Sequence, residues 1–486
     1  MKALLARFVF IALLAVPARA EETPILGSEV RTFPAAGSHG MVVSRHFLAS
    51  EAGAAILAKG GNAVDATIAT AFALAVVLPS AGNLGGGGFM LGYDAAEGTT
   101  FAIDYRETAP AAASVDMFLN AEGNVDRNLA AFTHASSGVP GTVAGLWLAH
   151  QKHGKLPWAE LLAPAIRLAD EGFPITLNLV NFLDRVKARL LRYPGGRQFF
   201  KEGGVSFAPG ETFRQPALAA TLTLIAEKGP DAFYKGEIAD LIVAEMARGN
   251  GLITHEDLAA YRAIERAPLQ GNYRGYQVVA MPPPSSGGVH VIQMLNVLEN
   301  FDLAAMGAGS ASAYSKMAEA MKFAFADRSR HLADPDFHDV PAAWLTSKAY
   351  AKEIAEKIKA GGVTPSAEIA PGVVPQPESP DTTHISVVDG EGNAISNTFT
   401  LNYSFGSGIV VEGAGFLLNN EMDDFSAKPG APNAYGLTGE EANAIQPGKR
   451  PLSSMTPVLV LEDGTPRHVL GAPGGSLIIT AVLQAI

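Results

Sequence analysis

The chain has 486 residues, of which 48% are hydrophobic and 17% are charged, so it can bury the extensive core of a large globular protein. Its formal net charge of −12, without basic runs, argues against nucleic acid and anionic membrane surfaces as partners. The sequence contains no cysteine, which excludes disulfides, thiol nucleophiles and thiolate metal sites.

Residues 1–20 have the pattern of a secretory signal peptide. Lys2 and Arg7 form a basic region, residues 8–16 form an apolar run too short to span a bilayer, and Ala18-Arg19-Ala20 is a cleavage motif. We therefore predict cleavage after residue 20 and export of a soluble mature protein. In a two-membrane bacterium its location would be the periplasm.

Two helices are predicted next. Ser50 is expected to cap a helix that ends at Gly60-Gly61. Asn62 then opens an Ala- and Val-rich helix that is apolar nearly all round and is expected to be buried. Because Asp65 interrupts its apolar run, residues 63–78 are not a membrane span, and no other segment is a credible one.

Four glycines, residues 85–88, follow the second helix. They are a weak nucleotide-binding signal, because no Lys-Ser/Thr pair follows them and they close a helix instead of opening one after a strand. Close packing of the backbone is the prediction for this segment.

Residues 101–110 are predicted to form a strand that presents Arg106 near its end. From the residues alone, Arg106 is either a surface charge or a functional group. Residues 150–360 are expected to be mostly amphipathic helices, with the loop at 282–288 either lining a cavity or serving the structure. Three later residues lack the helical spacing of metal ligands and are interpreted as structural: His331, Asp334 and Asp336.

Residues 380–402 carry a strong hairpin signal. Two β-rich segments, 382–388 and 394–402, flank a turn rich in Gly and Asn. Pairing centred on Glu391 sets Thr382 opposite Thr400, with β-carbons ~4.5–5.5 Å apart, and Asn402 on the same face. This face is rich in hydroxyl groups and is either a functional face or part of an ordinary structural hairpin, because threonines also favour strands.

The hairpin follows a Pro- and Gly-rich segment, 361–380, that is predicted to be an exposed, extended linker. A cut before Thr382 would give that residue a free α-amine beside its own hydroxyl. An α-amine has a pKa of ~7.7–8.0 and can therefore act as a base near neutral pH. A self-cleaving precursor needs this arrangement.

The hairpin sequence PDTTHISVVDGEGNAISNTFTLN, followed by LLNNEMDDFS and RPLSSMTP, resembles the γ-glutamyltransferases, which are N-terminal nucleophile hydrolases. The resemblance covers nearly the whole chain after residue 35. It extends over further motifs in the same order: GGNAVDATIATAFALAVVLPSAGNLGGGGFM (60–90), AIDYRETAP (102–110), GVPGTVAGL (138–146), MPPPSSGG (281–288) and GAPGGS (471–476).

The resemblance implies roles for the reacting residues. Thr382 would be the nucleophile, released by a cut between Asp381 and Thr382, and Thr400 would orient it. Gly474 and Gly475 resemble the oxyanion hole of the family, where the loss of one donor costs ~10²–10³ in rate. From the residues alone, these glycines also fit an ordinary helix start.

The resemblance further implies a clamp for the zwitterionic end of a free glutamyl group, strengthened by charge-assisted hydrogen bonds. The residues expected to hold the α-carboxylate are Arg106, Ser453 and Ser454. Those expected to hold the α-ammonium are Asn402, Glu421 and Asp424. Members of the family carry Gln or Glu at the position of Glu421.

The loop at 428–437 contains Pro429, Gly430 and Pro432, so it is predicted to lack regular structure. It resembles the loop that covers the pocket in many bacterial members of the family, with Tyr435 as the closing side chain. The alternative is a surface turn in which Tyr435 packs locally.

The fold class that the resemblance implies is α/β (α+β), a four-layer αββα sandwich with two stacked sheets between helix layers. The precursor would yield a large subunit, 21–381, and a small subunit, 382–486, held as a heterodimer. Expected substrates are glutathione and other γ-glutamyl compounds, with water, an amino acid or a dipeptide as acceptor; no metal or organic cofactor is implied. Family members usually continue further, so a chain that stops at Ile486, inside an apolar helix predicted at 477–485, is expected to be truncated.

Two alternative functions remain. A glutaryl- or cephalosporin-type β-lactam acylase on the same scaffold is disfavoured, because a glutaryl side chain has no α-ammonium for Glu421 and Asp424. A non-catalytic binding protein that retains the fold would not cleave itself. Two bands on a denaturing gel would therefore separate a catalyst from such a protein.

Overall fold

The computed structural model describes residues 34–361, 363–369, 382–433 and 437–486, which form a mixed α/β fold. Its strands are β1 (Gly40–Val43), β2 (Gly87–Asp94), β3 (Thr99–Tyr105), β4 (Phe173–Pro174), β5 (Thr212–Phe213), β6 (Ile264–Arg266), β7 (Leu269–Tyr273), β8 (Tyr276–Ala280), β9 (Thr383–Asp389), β10 (Ala394–Thr400), β11 (Val458–Glu462) and β12 (Thr465–Leu470). They pair antiparallel in a six-stranded sheet, β1-β9-β10-β2-β3-β6, a four-stranded sheet, β12-β11-β8-β7, and the short pair β4-β5.

Most of the helices in the described residues lie between β3 and the hairpin, with two before β2 and one after β12. They are α1 (Phe47–Ala58), α2 (Ala63–Val77), α3 (Arg127–Phe132), α4 (Thr142–His153), α5 (Trp158–Glu171), α6 (Leu177–Leu190), α7 (Pro216–Lys228), α8 (Asp231–Tyr234), α9 (Glu237–Arg248), α10 (His255–Ala260), α11 (Ser286–Leu298), α12 (Leu303–Met306), α13 (Ala311–His331), α14 (Ala342–Leu345), α15 (Lys348–Gly361), α16 (Ser366–Ile369) and α17 (Leu477–Ala485). In the part of the chain that the structure describes, none combines the length and the hydropathy needed to cross a bilayer.

The predicted hairpin lies at the centre of the six-stranded sheet. Strands β9 and β10 pair in the predicted register, with Val388 opposite Ala394. The turn is held by Asp389, whose Oδ1 accepts hydrogen bonds from the backbone N–H of Glu391 at 2.9 Å and of Asn393 at 3.0 Å. This Asx-type turn leaves the register no freedom to slip.

The two faces of the hairpin have different neighbours. Apolar side chains on one face, including Ile385 and Phe399, join the core that α2 helps to build. On the polar face, Ser386 Oγ donates to the carbonyl of Val469 at 3.0 Å, and Ser396 Oγ donates to that of Leu470 at 2.7 Å. These two hydroxyl groups therefore link the six-stranded sheet to the four-stranded sheet.

Helix α2 is buried at every position, as predicted. Asn62 and Asp65 form a reciprocal capping box at its start, and Asp65 also accepts hydrogen bonds from the backbone of Lys155. The helix before it was predicted correctly and ends just before Gly60-Gly61, but its predicted cap was wrong. Helix α1 begins at Phe47 and is capped by the ring of His46, whereas Ser50 lies inside it and hydrogen-bonds to Ser44.

The glycines at 85–88 serve close packing, as predicted. A Cβ added at Gly86 would lie 2.0 Å from the carbonyl oxygen of Thr400, and one at Gly88 would lie 2.5 Å from Cβ of Phe399. Because β10 passes so near, only glycine fits at these positions of the neighbouring chain.

The segment predicted to be an extended linker is partly helical. Helix α15 runs to Gly361, and α16 (Ser366–Ile369) is a further helical turn inside the segment. Several predicted features lie outside the described residues: the signal peptide at 1–20, the remainder of the linker, Asp381 of the cleavage site, and Tyr435 of the lid.

Candidate active site

A cleft opens at the end of the hairpin. It is lined by Thr382, Thr400, Asn402, Glu421, Asp424, Leu437, Ser453, Ser454, Met455, Gly475, Ser476 and Ile478. Eight of these were predicted from the sequence, and they come from four separate stretches of the chain. Among the predicted residues that the structure describes, Arg106 and Gly474 are not part of its lining.

Thr382 stands at the start of the hairpin and is 3% exposed. Its Oγ1 lies 3.5 Å from Oγ1 of Thr400, which in turn accepts a hydrogen bond from the backbone N–H of Asn402 at 3.0 Å. Asn402 has a positive φ of 74°, so the chain turns sharply there and keeps its side chain beside the two threonines. Arg45, which the sequence did not single out, donates to the carbonyl of Thr382 at 2.9 Å.

Arg106 follows β3 and is fully buried. Its guanidinium donates to Glu421 Oε1 and, at 2.5 Å, to Asp424 Oδ2. Glu107 lies 3.5 Å from the same guanidinium. The structure thus joins the two sides of the predicted clamp directly to each other, and Arg106 lies behind the carboxylates that line the cleft.

The charges of this cluster depend strongly on burial. Burial raises the pKa of Glu107 to about 7, and it raises the pKa of Glu421 and Asp424 despite the nearby Arg106. For Arg106, burial opposes the charge, but the three carboxyl groups together raise its pKa. Three carboxyl groups lie around the Arg106 guanidinium, an arrangement that favours protons or an added cation.

The loop at 282–288 supports the predicted serine pair and does not line the cleft. The backbone N–H of Ser453 donates to the carbonyl of Pro284 at 2.9 Å, and that of Ser286 donates to the carbonyl of Ser453 at 2.8 Å. Arg328 of α13, another residue that the sequence did not reveal, donates to Ser454 Oγ at 3.2 Å. A lone arginine on a long helix carries no sequence signal.

Helix α17 starts at the residue predicted for it, after a glycine pair with left-handed backbone. Gly474 has a φ of 125° and Gly475 a φ of 56°, and Gly475 lines the cleft with Thr382. Glycine is the residue that adopts such angles without strain. The role of these two glycines in binding an oxyanion stays a prediction.

The predicted lid loop borders the cleft through Leu437. The backbone N–H of Asn433 donates to the carbonyl of Leu437 at 2.9 Å, and its side chain reaches Asp424 Oδ1 at 3.4 Å. The loop therefore folds back over the acidic side of the site. The role of Tyr435 stays a prediction.

Asp334 and Asp336, two of the residues interpreted as structural from the sequence, have structural partners. Asp334 Oδ2 accepts the backbone N–H of Arg450 at 2.8 Å, and Asp336 pairs with Arg266 at 2.8 Å. Within the described ranges, no group of three His, Cys, Asp or Glu side chains is placed to hold a metal ion.

The chain matches the family described as "Gamma-glutamyltranspeptidase" over residues 49–486. It is 53% identical over 454 residues to the glutathione hydrolase proenzyme of Escherichia coli (strain K12), an alignment that covers 93% of this chain and 78% of the relative. Two solved structures are also similar. The γ-glutamyltranspeptidase of Helicobacter pylori is 45% identical with a TM-score of 0.68, covering 70% of this chain and 97% of that one. The cephalosporin acylase of Bacillus halodurans is 30% identical with a TM-score of 0.77, covering 94% of this chain and 82% of that one.

Proposed function

This chain belongs to the γ-glutamyltranspeptidase family and is an enzyme of the glutathione hydrolase class, and on this premise we propose that Thr382 is its nucleophile. The observation that supports the proposal is the position of Thr382 at the head of β9, beside Thr400 and in the same cleft as Glu421 and Ser453. This cleft therefore offers the residues proposed as nucleophile, orienting hydroxyl and ammonium ligands, together with the serine pair proposed for the carboxylate.

The first reaction is autoprocessing. Thr382 Oγ attacks the carbonyl carbon of Asp381, and the peptide bond is exchanged for an ester as the α-amine of Thr382 takes up a proton. Water then hydrolyses the ester, giving a carboxylate on Asp381 and a free amine and hydroxyl on Thr382. The products are the large subunit, which ends at Asp381, and the small subunit, which begins at Thr382. Arg45, which binds the carbonyl of Thr382, holds the residue in place during the exchange.

The second reaction is transfer of the γ-glutamyl group. Thr382 Oγ attacks the γ-amide carbonyl of glutathione or a related compound, its own α-amine takes the hydroxyl proton, and the leaving amine receives that proton. Backbone N–H groups at Gly474 and Gly475 stabilise the oxyanion. The γ-glutamyl ester on Thr382 is then released by water or by the amine of an amino acid or dipeptide.

Substrate recognition requires an exchange of ion pairs. Arg106 leaves Glu421 and Asp424 for the α-carboxylate of the substrate, and the two carboxylates accept hydrogen bonds from its α-ammonium, together with Asn402. In this exchange the two ion pairs that Arg106 makes with Glu421 and Asp424 are replaced by pairs with the substrate, so each buried charge keeps a partner of opposite sign. Ser453 completes the carboxylate side, together with its neighbour at 454.

A β-lactam acylase is the second candidate, because one similar structure is a cephalosporin acylase. Glu421 and Asp424 favour the γ-glutamyl reaction, since both line the cleft and a glutaryl group offers them no cation. Comparing release of anilide from γ-glutamyl and glutaryl donors would distinguish the two functions.

The finer architecture and the location of the protein belong to the same proposal. Helices α1 and α2 pack against the six-stranded sheet, whereas α11 packs against the four-stranded sheet and is itself covered by α13 and α15. This packing supports the αββα layering. The pattern of residues 1–20 supports export to the periplasm.

Comparing the parent protein with Thr382→Ala and Thr382→Ser tests the nucleophile. The parent should give two bands on a denaturing gel, and Thr382→Ala should stay as one chain because no hydroxyl remains to attack. Thr382→Ser should still cleave, more slowly. Efficient cleavage of Thr382→Ala between residues 381 and 382 would refute the assignment.

A further inference from the structure

Arg328 is a buried cation that forms no salt bridge with the described residues. It lies near the end of α13 and is 5% exposed. Its Nε donates to Ser286 Oγ at 3.0 Å, and its Nη2 donates to Ser454 Oγ at 3.2 Å. Between residues 34 and 486, in the stretches that the structure describes, it forms no salt bridge.

The surroundings make this charge costly. Burial lowers the pKa of Arg328 to about 10; the charge of Asp424 opposes that effect and the charge of Arg106 adds to it. Asp424 is already bound to Arg106, so it does not neutralise Arg328 fully. Natural proteins seldom bury an arginine without a counter-ion, and an anionic ligand nearby is one reason to do so.

The hydrogen bonds of Arg328 set the direction of the Ser454 hydroxyl. A hydroxyl has one proton to donate and two lone pairs to accept with. Because Arg328 donates to Ser454 Oγ, one lone pair is occupied and the proton points elsewhere. Ser454 lines the cleft, and within the described residues no other group accepts that proton. The hydroxyl is thus oriented to donate into the cleft.

We propose that Arg328 is a positioning and specificity-determining residue for the α-carboxylate of the γ-glutamyl donor, acting through Ser454. Its charge polarises the hydroxyl and adds positive potential at Ser454. The carboxylate of the donor then meets two guanidinium groups, that of Arg106 in direct contact and that of Arg328 behind a serine. This inference rests on the proposed function.

Steady-state kinetics with γ-glutamyl-anilide test the inference in Arg328→Gln and Arg328→Lys. Arg328→Gln should raise KM about 10-fold or more, the order expected when a charge-assisted hydrogen bond is lost, with kcat changed much less. Arg328→Lys should recover part of the loss, since it restores the charge without the planar fork. Arg330→Gln, an exposed arginine on the same helix, should behave as the parent.

Inhibition constants provide the second readout. L-Glutamate should inhibit Arg328→Gln about 10-fold more weakly than it inhibits the parent, whereas 4-aminobutanoate, which lacks the α-carboxylate, should be affected less than twofold. Two kinetic results would overturn the inference: an equal loss of affinity for both inhibitors, or a fall in kcat with KM unchanged. The inference would also be overturned if neither Arg328 variant cleaved itself while Arg330→Gln did. A parent that releases no anilide would refute the proposed function instead.

Discussion

Arg106 donates hydrogen bonds to Glu421, although the two side chains are assigned to opposite ends of the same substrate. In the proposed binding mode, the donor replaces an existing ion pair when it binds. Its recognition energy is the difference between two sets of charge-assisted hydrogen bonds, so we expect affinity to depend on their geometry more than on the number of charges.

Replacing Arg106 should weaken both binding and the fold. Arg106→Ala is expected to raise KM for γ-glutamyl-anilide about 10- to 100-fold, because a hydrogen bond to a charged group contributes ~1.5–3 kcal/mol. It should also lower the melting temperature, since Glu421 and Asp424 lose a buried partner. Arg106→Lys should recover part of each loss. An unchanged KM in Arg106→Ala would move the carboxylate site elsewhere.

A methyl group at Gly86 should disturb the reacting threonines. Its Cβ would lie 2.0 Å from the carbonyl oxygen of Thr400, so Gly86→Ala should displace the end of β10 and slow cleavage before Thr382. Overpacking of this kind costs ~1–3 kcal/mol. The rate at which one band becomes two on a denaturing gel measures the cleavage, and thermal unfolding measures the loss of stability. Gly390→Ala is the control, because its nearest neighbour lies 3.3 Å away; equal behaviour of the two variants would contradict the prediction.

Glu107 should make stability depend on pH. Burial raises its pKa to about 7, so the folded chain keeps a proton that the unfolded chain releases, and the free energy of unfolding falls as pH rises from about 4 to about 7. Glu107→Gln removes this ionisation. As pH rises from about 5 to about 8, the free energy of unfolding of Glu107→Gln should fall less than that of the parent, by about 1–3 kcal/mol.

Urea unfolding at both pH values measures the difference, in the Thr382→Ala background so that one chain unfolds. Glu391→Gln, an exposed carboxyl group in the hairpin turn, is the matched control. The same pH dependence in Glu107→Gln and its parent would show that Glu107 is ionised throughout.

Removing the loop over the cleft should widen the substrate range. Deleting residues 429–435, which include Tyr435, is expected to admit bulkier γ-glutamyl donors and to change the ratio of hydrolysis to transfer, because water is no longer excluded. Processing at Thr382 should survive. Leu437→Ala should give a smaller change in the same direction, since its side chain lines the cleft. A deletion variant with the substrate range and product ratio of the parent would make the loop a simple turn.

Local patterns predicted the hairpin and the last helix well. The period of two and the Asp389 turn determine the pairing of β9 with β10, and a glycine pair marks the start of α17 at Leu477. The residues that produce each of these signals lie within a few positions of each other in the chain. The error at Ser50 shows the limit, because a histidine ring replaced the usual hydroxyl cap.

Contacts between distant segments were not predictable in the same way. Arg106 and Glu421 are 315 positions apart, and Arg328 reaches Ser454 across 126. Their residue types indicate charge and hydroxyl chemistry but not which partners meet. The resemblance to a family supplied most of these assignments. Arg45 and Arg328 were missed because none of the motifs that carry the resemblance contains them.

The order of strands has a consequence for a cut before Thr382. In the six-stranded sheet, β9 and β10 lie between β1 and β2, and in the four-stranded sheet β11 pairs with β8. Each sheet would then be woven from both polypeptides, and the surface between them would be the interior of the protein itself. We expect the two pieces to melt in a single transition and to separate only when both have lost their fold.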